Sequence, residues 1–294
     1  MQKESLFIGR RDFLFDCEKK GMLAMLRTIY MLGTGNAMVT QCYNTCFLIH
    51  TDGGYFLTDA GGGNTILRCL EKAGISYEAF HHMFVTHGHT DHILGVIWII
   101  RKIASLMAAG TYEGDFYIYC HDVVKHMLLV MAEMMLKKKD VSYLGTRIHL
   151  EELQDGEKRT FLDMTLTAFD IASTKAKQFG YELKFSDGMR LTCLGDEPYN
   201  ERCLAYAEQT DWLLEEAFCL HKHTDIFHPY EKHHSTVKDA AETARQLQVK
   251  HVILYHTEDK NLQTRKKQYA QEASLYYAGD IHVPDDGETI VLSQ

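Results

Sequence analysis

The sequence predicts an α/β fold, a single domain in which β-sheets are covered by helices, and three observations carry that prediction. Short β-rich runs alternate with helical stretches along most of the chain. Only three prolines occur, and no Gly/Ser-rich linker or low-complexity tract interrupts the alternation. A hydrophobic content of 46% over 294 residues is ample for a sizeable core.

Residues 1–24 are polar and irregular and read as an N-terminal extension outside the core, with 25–294 as the domain. The first clear strand is "MLRTIYMLG", and Met25 is a candidate physiological start. The strands "TCFLIH", "GYFLTD", "HMFVTH" and "DFYIYC" follow, each rich in β-branched or aromatic residues. Between and after them, Thr65 to Ala73, Asp91 to Ala109 and Val123 to Lys139 carry helical periodicity. The second half repeats the habit with "RIHLEEL", "TLTAFDI", "GYELKFSDGMRLTCLGD", "DWLLEEAF" and "KHVILYH". The third of these is a hairpin turning at Asp187-Gly188. Asn200 to Gln209, Thr236 to Leu247 and Asn261 to Ala278 supply its helices.

Bulk properties narrow the function. The net charge of −9 gives no global positive field for a nucleic-acid backbone. The basic runs Lys137 to Lys139 and Arg265 to Lys267 read as solvated helix faces. Eight cysteines without a C-x-x-C pair read as reduced thiols, which points to the cytoplasm. "RRDFLF" looks like a twin-arginine export signal, but the charges of "DCEKKGMLAML" interrupt the apolar stretch such a signal needs. The apolar run Ile93 to Ile100 ends at Arg101 and Lys102, too short to span a bilayer, so no membrane role is expected.

The chemistry concentrates in "THGHTDH", where His87, His89, Asp91 and His92 leave a strand and enter a helix. Strand ends hold side chains firmly while the loop lets them converge. Asp196, ending "LTCLGD", and His256, ending "VILYH", occupy equivalent positions. Imidazole and carboxylate without thiolate suit zinc, with manganese or iron as alternatives. Asp59, ending "YFLTD", is either a further ligand or a carboxylate orienting a ligand histidine from behind.

"THGHTDH", "LGTGNA", "LTDAGGG", "LGDEPYN" and "LYHTED" together resemble the metallo-β-lactamase superfamily, and specifically its ribonuclease Z-like branch, over roughly residues 25–294. The resemblance implies a four-layer αββα sandwich. It also implies a dinuclear centre: His87 and His89 on the first metal, Asp91, His92 and His256 on the second, Asp196 bridging, and Asp59 in support. Two zinc ions and a homodimer are implied as well. "EEAF" places Glu216 at the acidic position of the branch's His-Glu-Ala-Thr motif, with Glu215 replacing its histidine. "HHST" places His234 where a histidine serves the leaving group, whereas His233, Ser235 and Thr236 also fit a simple helix start. Catalytic work would fall to Asp91, His234 and Glu216.

One position departs from the pattern. In "FDIASTKAKQFGYEL", Ala172 stands where the branch has the third terminal ligand of the first metal. A methyl group binds no cation, so the first site is expected to be weak or empty beside an intact second one. Lys175, in the same loop, either pairs with an anionic substrate or is simply solvated. The expected function is therefore a metal-dependent hydrolase, a phosphodiesterase acting on a small or nucleotide-like substrate. An impaired metal- or ligand-binding homologue and an ester or lactone hydrolase are the alternatives. Transfer RNA is a weaker substrate candidate, since no Gly/Pro-rich basic arm is visible. His89 in place of glutamate argues against diiron redox chemistry.

Overall fold

The computed structural model describes residues 27–294, so the extension at 1–24, Met25 and "RRDFLF" lie outside the described residues. The chain runs through β1 (Arg27–Gly33), β2 (Cys46–Thr51), β3 (Gly54–Thr58), β4 (Phe80–Phe84), β5 (Phe116–Cys120) and β6 (Ile148–Glu152). It continues through β7 (Lys158–Phe161), β8 (Met164–Asp170), β9 (Phe179–Phe185), β10 (Arg190–Cys193), β11 (Trp212–Glu216), β12 (His251–Tyr255), β13 (Asp280–His282) and β14 (Thr289–Leu292). The longer helices are α1 (Thr65–Lys72), α2 (Thr90–Ala109), α3 (Asp122–Met135), α4 (Val237–Gln246) and α5 (Leu262–Ala273).

These strands make two seven-stranded sheets, ordered β14-β1-β2-β3-β4-β5-β6 and β13-β12-β11-β10-β9-β8-β7. Each sheet is antiparallel at one side and parallel at the other. The parallel pairs require crossovers, and α1, α2 and α3 provide them in the first sheet.

Alternation of side chains across each strand then builds the layers. Phe47, Phe56 and Phe84 meet Leu166, Tyr181 and Leu214 between the sheets. On the far side of the first sheet Leu48, Leu57 and Ile118 pack on Ile66, Val96, Ile100 and Leu128. On the far side of the second, Leu213, Val252 and Leu254 pack on Ala240, Ala244 and Tyr269. The result is the expected αββα sandwich, and it explains why "WLLEE" and "HVILY" hold unbroken apolar runs: both their faces are buried.

Helix α2 is long and apolar enough, by length and composition alone, to cross a membrane, but its Ile93, Val96, Ile100 and Ile103 are buried in the core. Its apolarity is thereby accounted for within the chain. Gly95 allows the close approach, since a Cβ there would stand 1.8 Å from the Ala60 carbonyl oxygen. That contact draws the start of α2 against the loop carrying Asp59.

Several expected elements are shorter than read. Val123 to Lys139 breaks at Leu136 and resumes as the short helix Lys138–Val141, Asn200 to Gln209 reduces to Glu201–Cys203 and Leu204–Ala207, and Asn261 to Ala278 ends at Ala273. Strands β7, β13 and β14 were not anticipated. The reading of Arg265 as solvated is wrong: its guanidinium is fully buried, donating to Thr34 and Thr257 hydroxyls, the Pro284 carbonyl and Asp285. Helical periodicity showed Arg265 on a polar helix but not the loop 283–286 folding over it.

Candidate metal centre

The strand-end residues converge where the carboxyl ends of both parallel half-sheets meet. His87 follows β4, His89 is the residue preceding α2, and Asp91 and His92 form the helix's first turn, where a carboxylate also complements the helix dipole. Asp196 follows β10 and His256 follows β12. Asp59, Ala172 and His256 have left-handed backbones, with φ of 54°, 55° and 57°.

Asp196 Oδ2 lies 3.6 Å from His87 Nε2, 3.6 Å from His92 Nε2 and 3.5 Å from His256 Nε2. Asp91 Oδ2 lies 3.3 Å from His92 Nε2 and 3.5 Å from His256 Nε2. His89 Nδ1 lies 2.8 Å from His87 Nε2, at the more open rim. Ligand atoms around a tetrahedral zinc, bound at about 2.0–2.1 Å, sit roughly 3.3 Å apart. Among the described residues three overlapping groups therefore have suitable spacing: His87, His92 and Asp196; Asp91, His92 and His256; and Glu216, His234 and His256. Among the described residues, buried His92 Nε2 and both ring nitrogens of His256 have no hydrogen-bond partner. Buried imidazole nitrogens without partners are costly unless something else satisfies them, so the residues fit a divalent cation.

The charges favour the same conclusion. Burial pushes the Asp196 carboxyl up, but His87, His92 and His256 outweigh it and hold the group well below the ordinary range. Burial presses His92 down, yet Asp91 and Asp59 overcome it and raise its pKa well above the usual value. His87 falls well below, driven by burial.

Asp59 does not face this cluster with a free oxygen. Its Oδ1 accepts the Thr86 backbone N–H at 2.9 Å, and its Oδ2 accepts the Thr86 hydroxyl at 2.8 Å and His92 Nδ1–H at 2.7 Å. With its proton committed to Asp59, Thr86 Oγ1 is left to accept His87 Nδ1–H at 3.0 Å. One carboxylate thus fixes two imidazoles as Nδ1–H tautomers with their Nε2 lone pairs turned inward.

Beside the cluster stands His234, its ring stacked on Phe218 at 4.8 Å and 5.2 Å from the His256 ring. His234 Nδ1 is 3.6 Å from Glu216 Oε2. Glu216 Oε1 is fixed by the Ser235 backbone N–H and by the Ser235 hydroxyl at 2.8 Å. Thr236 begins α4 with a capping box to Asp239. His233 turns away to Thr174 at 3.1 Å, and Lys175 pairs with Glu197 at 3.7 Å. Glu215, on the opposite face of β11, is fully buried, and burial with the neighbouring Glu216 pushes its pKa well up.

A cavity of about 690 Å³, lined by Ala172, Thr174, Asn200, Arg202, Tyr230, His233 and His234, opens next to this histidine. That volume is in the range of small-molecule sites. One residue of the centre was missed from sequence: Gln178, almost wholly buried, whose amide reaches Asp196 and His87. Nothing in the "KAKQFGY" spacing marks it, because its importance lies in burial alone.

The family model described as Anti-Pycsar protein Apyc1 matches residues 27–276. A ribonuclease Z of Thermococcus sibiricus is 24% identical over 317 residues, covering 92% of this chain and 97% of its own. The metallo-β-lactamase fold protein YhfI of Bacillus subtilis superposes with a TM-score of 0.73 at 15% identity, covering 90% of this chain and 99% of that one. The short form of human tRNase Z gives 0.68 at 17%, covering 90% and 98%. The chain belongs to the Anti-Pycsar protein Apyc1 family and is a metal-dependent hydrolase, ribonuclease Z-like, of the metallo-β-lactamase superfamily.

Proposed function

We propose that this protein hydrolyses a small phosphodiester at a pair of divalent cations, zinc in the first instance, with manganese or iron as alternatives. His87, His89 and Asp196 would hold the first, and Asp91, His92, His256 and Asp196 the second. The observation that carries the reading is the placement of Asp196 Oδ2 within 3.6 Å of three inward-facing histidine nitrogens. Cations bound there supply Lewis acidity and a water of lowered pKa. Asp91 would orient a water there or accept its proton. His234, with Glu216 Oε2 3.6 Å from its Nδ1, would give a proton to the leaving oxygen. The adjoining cavity would take the substrate, with Ala172, a non-ligand, weakening the first site.

The test measures metal content by elemental analysis together with turnover of bis(p-nitrophenyl) phosphate and a lactone on one preparation. Phosphodiester hydrolysis that needs added zinc or manganese is expected. No turnover, even in Ala172→His with excess metal, would refute the reading, and lactone turnover alone would make the protein an esterase. Because the Thermococcus relative is named ribonuclease Z, precursor tRNA belongs in the same assay series. Steeply salt-dependent binding there would shift the substrate to RNA. Binding of metal without any turnover would favour the impaired homologue that Ala172 suggests. We further propose a homodimer, tested by sedimentation, and a cytoplasmic setting, in keeping with the free thiols of Cys42, Cys46, Cys69, Cys120, Cys193, Cys203 and Cys219. Residues 1–24 are proposed to lie outside the hydrolase domain, which limited proteolysis followed by a metal assay would test.

A further inference from the structure

We infer that Gln178 is a positioning residue for the bridging carboxylate, fixing which oxygen of Asp196 faces the cations; the inference rests on the metal reading above. Gln178 Nε2 lies 2.5 Å from Asp196 Oδ1. An ionised carboxylate only accepts, so the amide atom facing it is the N–H₂ and not the oxygen. The same nitrogen stands 3.2 Å from His87 Nδ1, whose proton is already directed to Thr86. Its productive bond is therefore the one to Asp196.

With Oδ1 engaged, Oδ2 alone turns toward His87, His92 and His256. Gln178 itself is held from two sides. Its carbonyl accepts the Ile171 N–H at 3.1 Å, next to Ala172, and the following N–H, of Phe179, donates to Thr86 O at 3.0 Å, next to His87. Gly195, at φ 77°, lets the Asp196 loop close on the amide, since a Cβ there would stand 2.7 Å from Gln178 Nε2. Asp59 thus orients the histidines, while Gln178 orients the carboxylate shared between the two halves. The half it touches, His87 and Asp196, is also the half that lacks a ligand at 172.

The experiment titrates metal-free full-length protein with zinc against a competing chelator, and records the visible spectrum of the cobalt-loaded form. Gln178→Met keeps the length and removes the N–H donor. Its zinc, the weaker ion where the parent takes up two and the single ion where it takes up one, is expected to bind 10–100-fold less tightly, as for other residues that support a ligand, with an altered cobalt spectrum. If Gln178→Met does not fold, Gln178→Leu takes its place in the same titration. A purely structural role would lower resistance to urea while leaving the cobalt spectrum of the folded fraction unchanged, and would overturn the inference. So would zinc affinities within twofold of the parent. A parent chain that takes up no metal would overturn the metal reading and this inference with it, whereas a parent and variant that bind alike overturn the inference alone.

Discussion

Asp59→Asn tests whether the centre depends on its supporting carboxylate. The residue sits at φ 54°, and asparagine tolerates a left-handed backbone, so the substitution leaves the turn intact and changes only the hydrogen bonding. Asp59 accepts three bonds, from the Thr86 N–H, the Thr86 hydroxyl and His92 Nδ1–H. Asparagine offers one accepting oxygen. If that oxygen takes the Oδ2 position, the Thr86 N–H faces an amide N–H₂ and loses its partner, at a cost of about 1–3 kcal/mol for a buried donor. If it takes the Oδ1 position, the amide donates toward His92 Nδ1 and drives the ring proton to Nε2, removing the lone pair that would hold a cation. Either route is measurable: the first as a loss of about 1–3 kcal/mol in urea unfolding of the metal-free protein, the second as a 10–100-fold loss of zinc affinity. Stability within about 0.5 kcal/mol of the parent, together with unchanged zinc affinity, would refute the assignment of Asp59 as the anchor of His92.

Two further outcomes follow from the surrounding groups. His234→Ala is expected to lower phosphodiester turnover by about 10²–10⁴ without changing metal content, and Glu216→Gln to lower turnover less, also with metal content unchanged; loss of metal in either variant would move these residues into the cation site. Glu215 is fully buried beside Glu216, and burial raises its pKa well above the usual carboxylate range. Its folded pKa is raised above an unfolded value of about 4.3, so folding takes up a proton, and stability is lost as pH rises from that value through the folded pKa. Each unit of elevation costs about 1.4 kcal/mol above that range. Glu215→Gln should therefore flatten this part of the pH–stability curve, and parallel curves for parent and variant would show that Glu215 is ionised in the fold.

How much of this was legible in the sequence depends on whether a residue acts at a strand end or through burial. His87, His89, Asp91, His92, Asp196 and His256 each follow an apolar strand, and the periodicity that marks the strand marks the place where its last side chain emerges. Glu216 and His234 were legible as motif members, although the 3.6 Å between them needed β11 and the segment before α4 to be side by side. Gln178 and Arg265 were not legible. Each is a polar residue in a polar stretch, and only the fold shows the amide enclosed against Asp196 and the guanidinium enclosed beneath the loop 283–286. Strand β13 pairs over just three residues, Asp280 to His282, too short for alternation to show. The nearly all-round apolar character of "ILGVIWIIRKIASLM" fits deep burial, and α2 is buried in the core along much of its length.

Ala172 can be argued further from its backbone. It shares the left-handed conformation of Asp59 and His256, at φ 55° against 54° and 57°. Aspartate and histidine adopt that region far more readily than alanine, for which it costs about 1–2 kcal/mol. The turn is held by other means: the Ala172 N–H donates to Asp170 Oδ1 at 2.8 Å, and Ile171 N–H to the Gln178 carbonyl. The chain therefore keeps, at a cost, a turn of the kind that aims His256 inward and sets Asp59 behind His92, with no such side chain on it. Two substitutions separate geometry from ligation. Ala172→Gly relieves the strain, and after the added freedom of the unfolded chain is subtracted it should stabilise the metal-free protein by about 0.5–1 kcal/mol. Ala172→His should fold equally well and raise bound metal from near one to near two per chain. Two metals in both the parent and the histidine variant would show that another side chain completes the first site, and a destabilising glycine would show that the turn is not strained. If glycine stabilises and histidine adds a metal, position 172 is a ligand position that has lost its ligand while the surrounding hydrogen bonds preserve its shape.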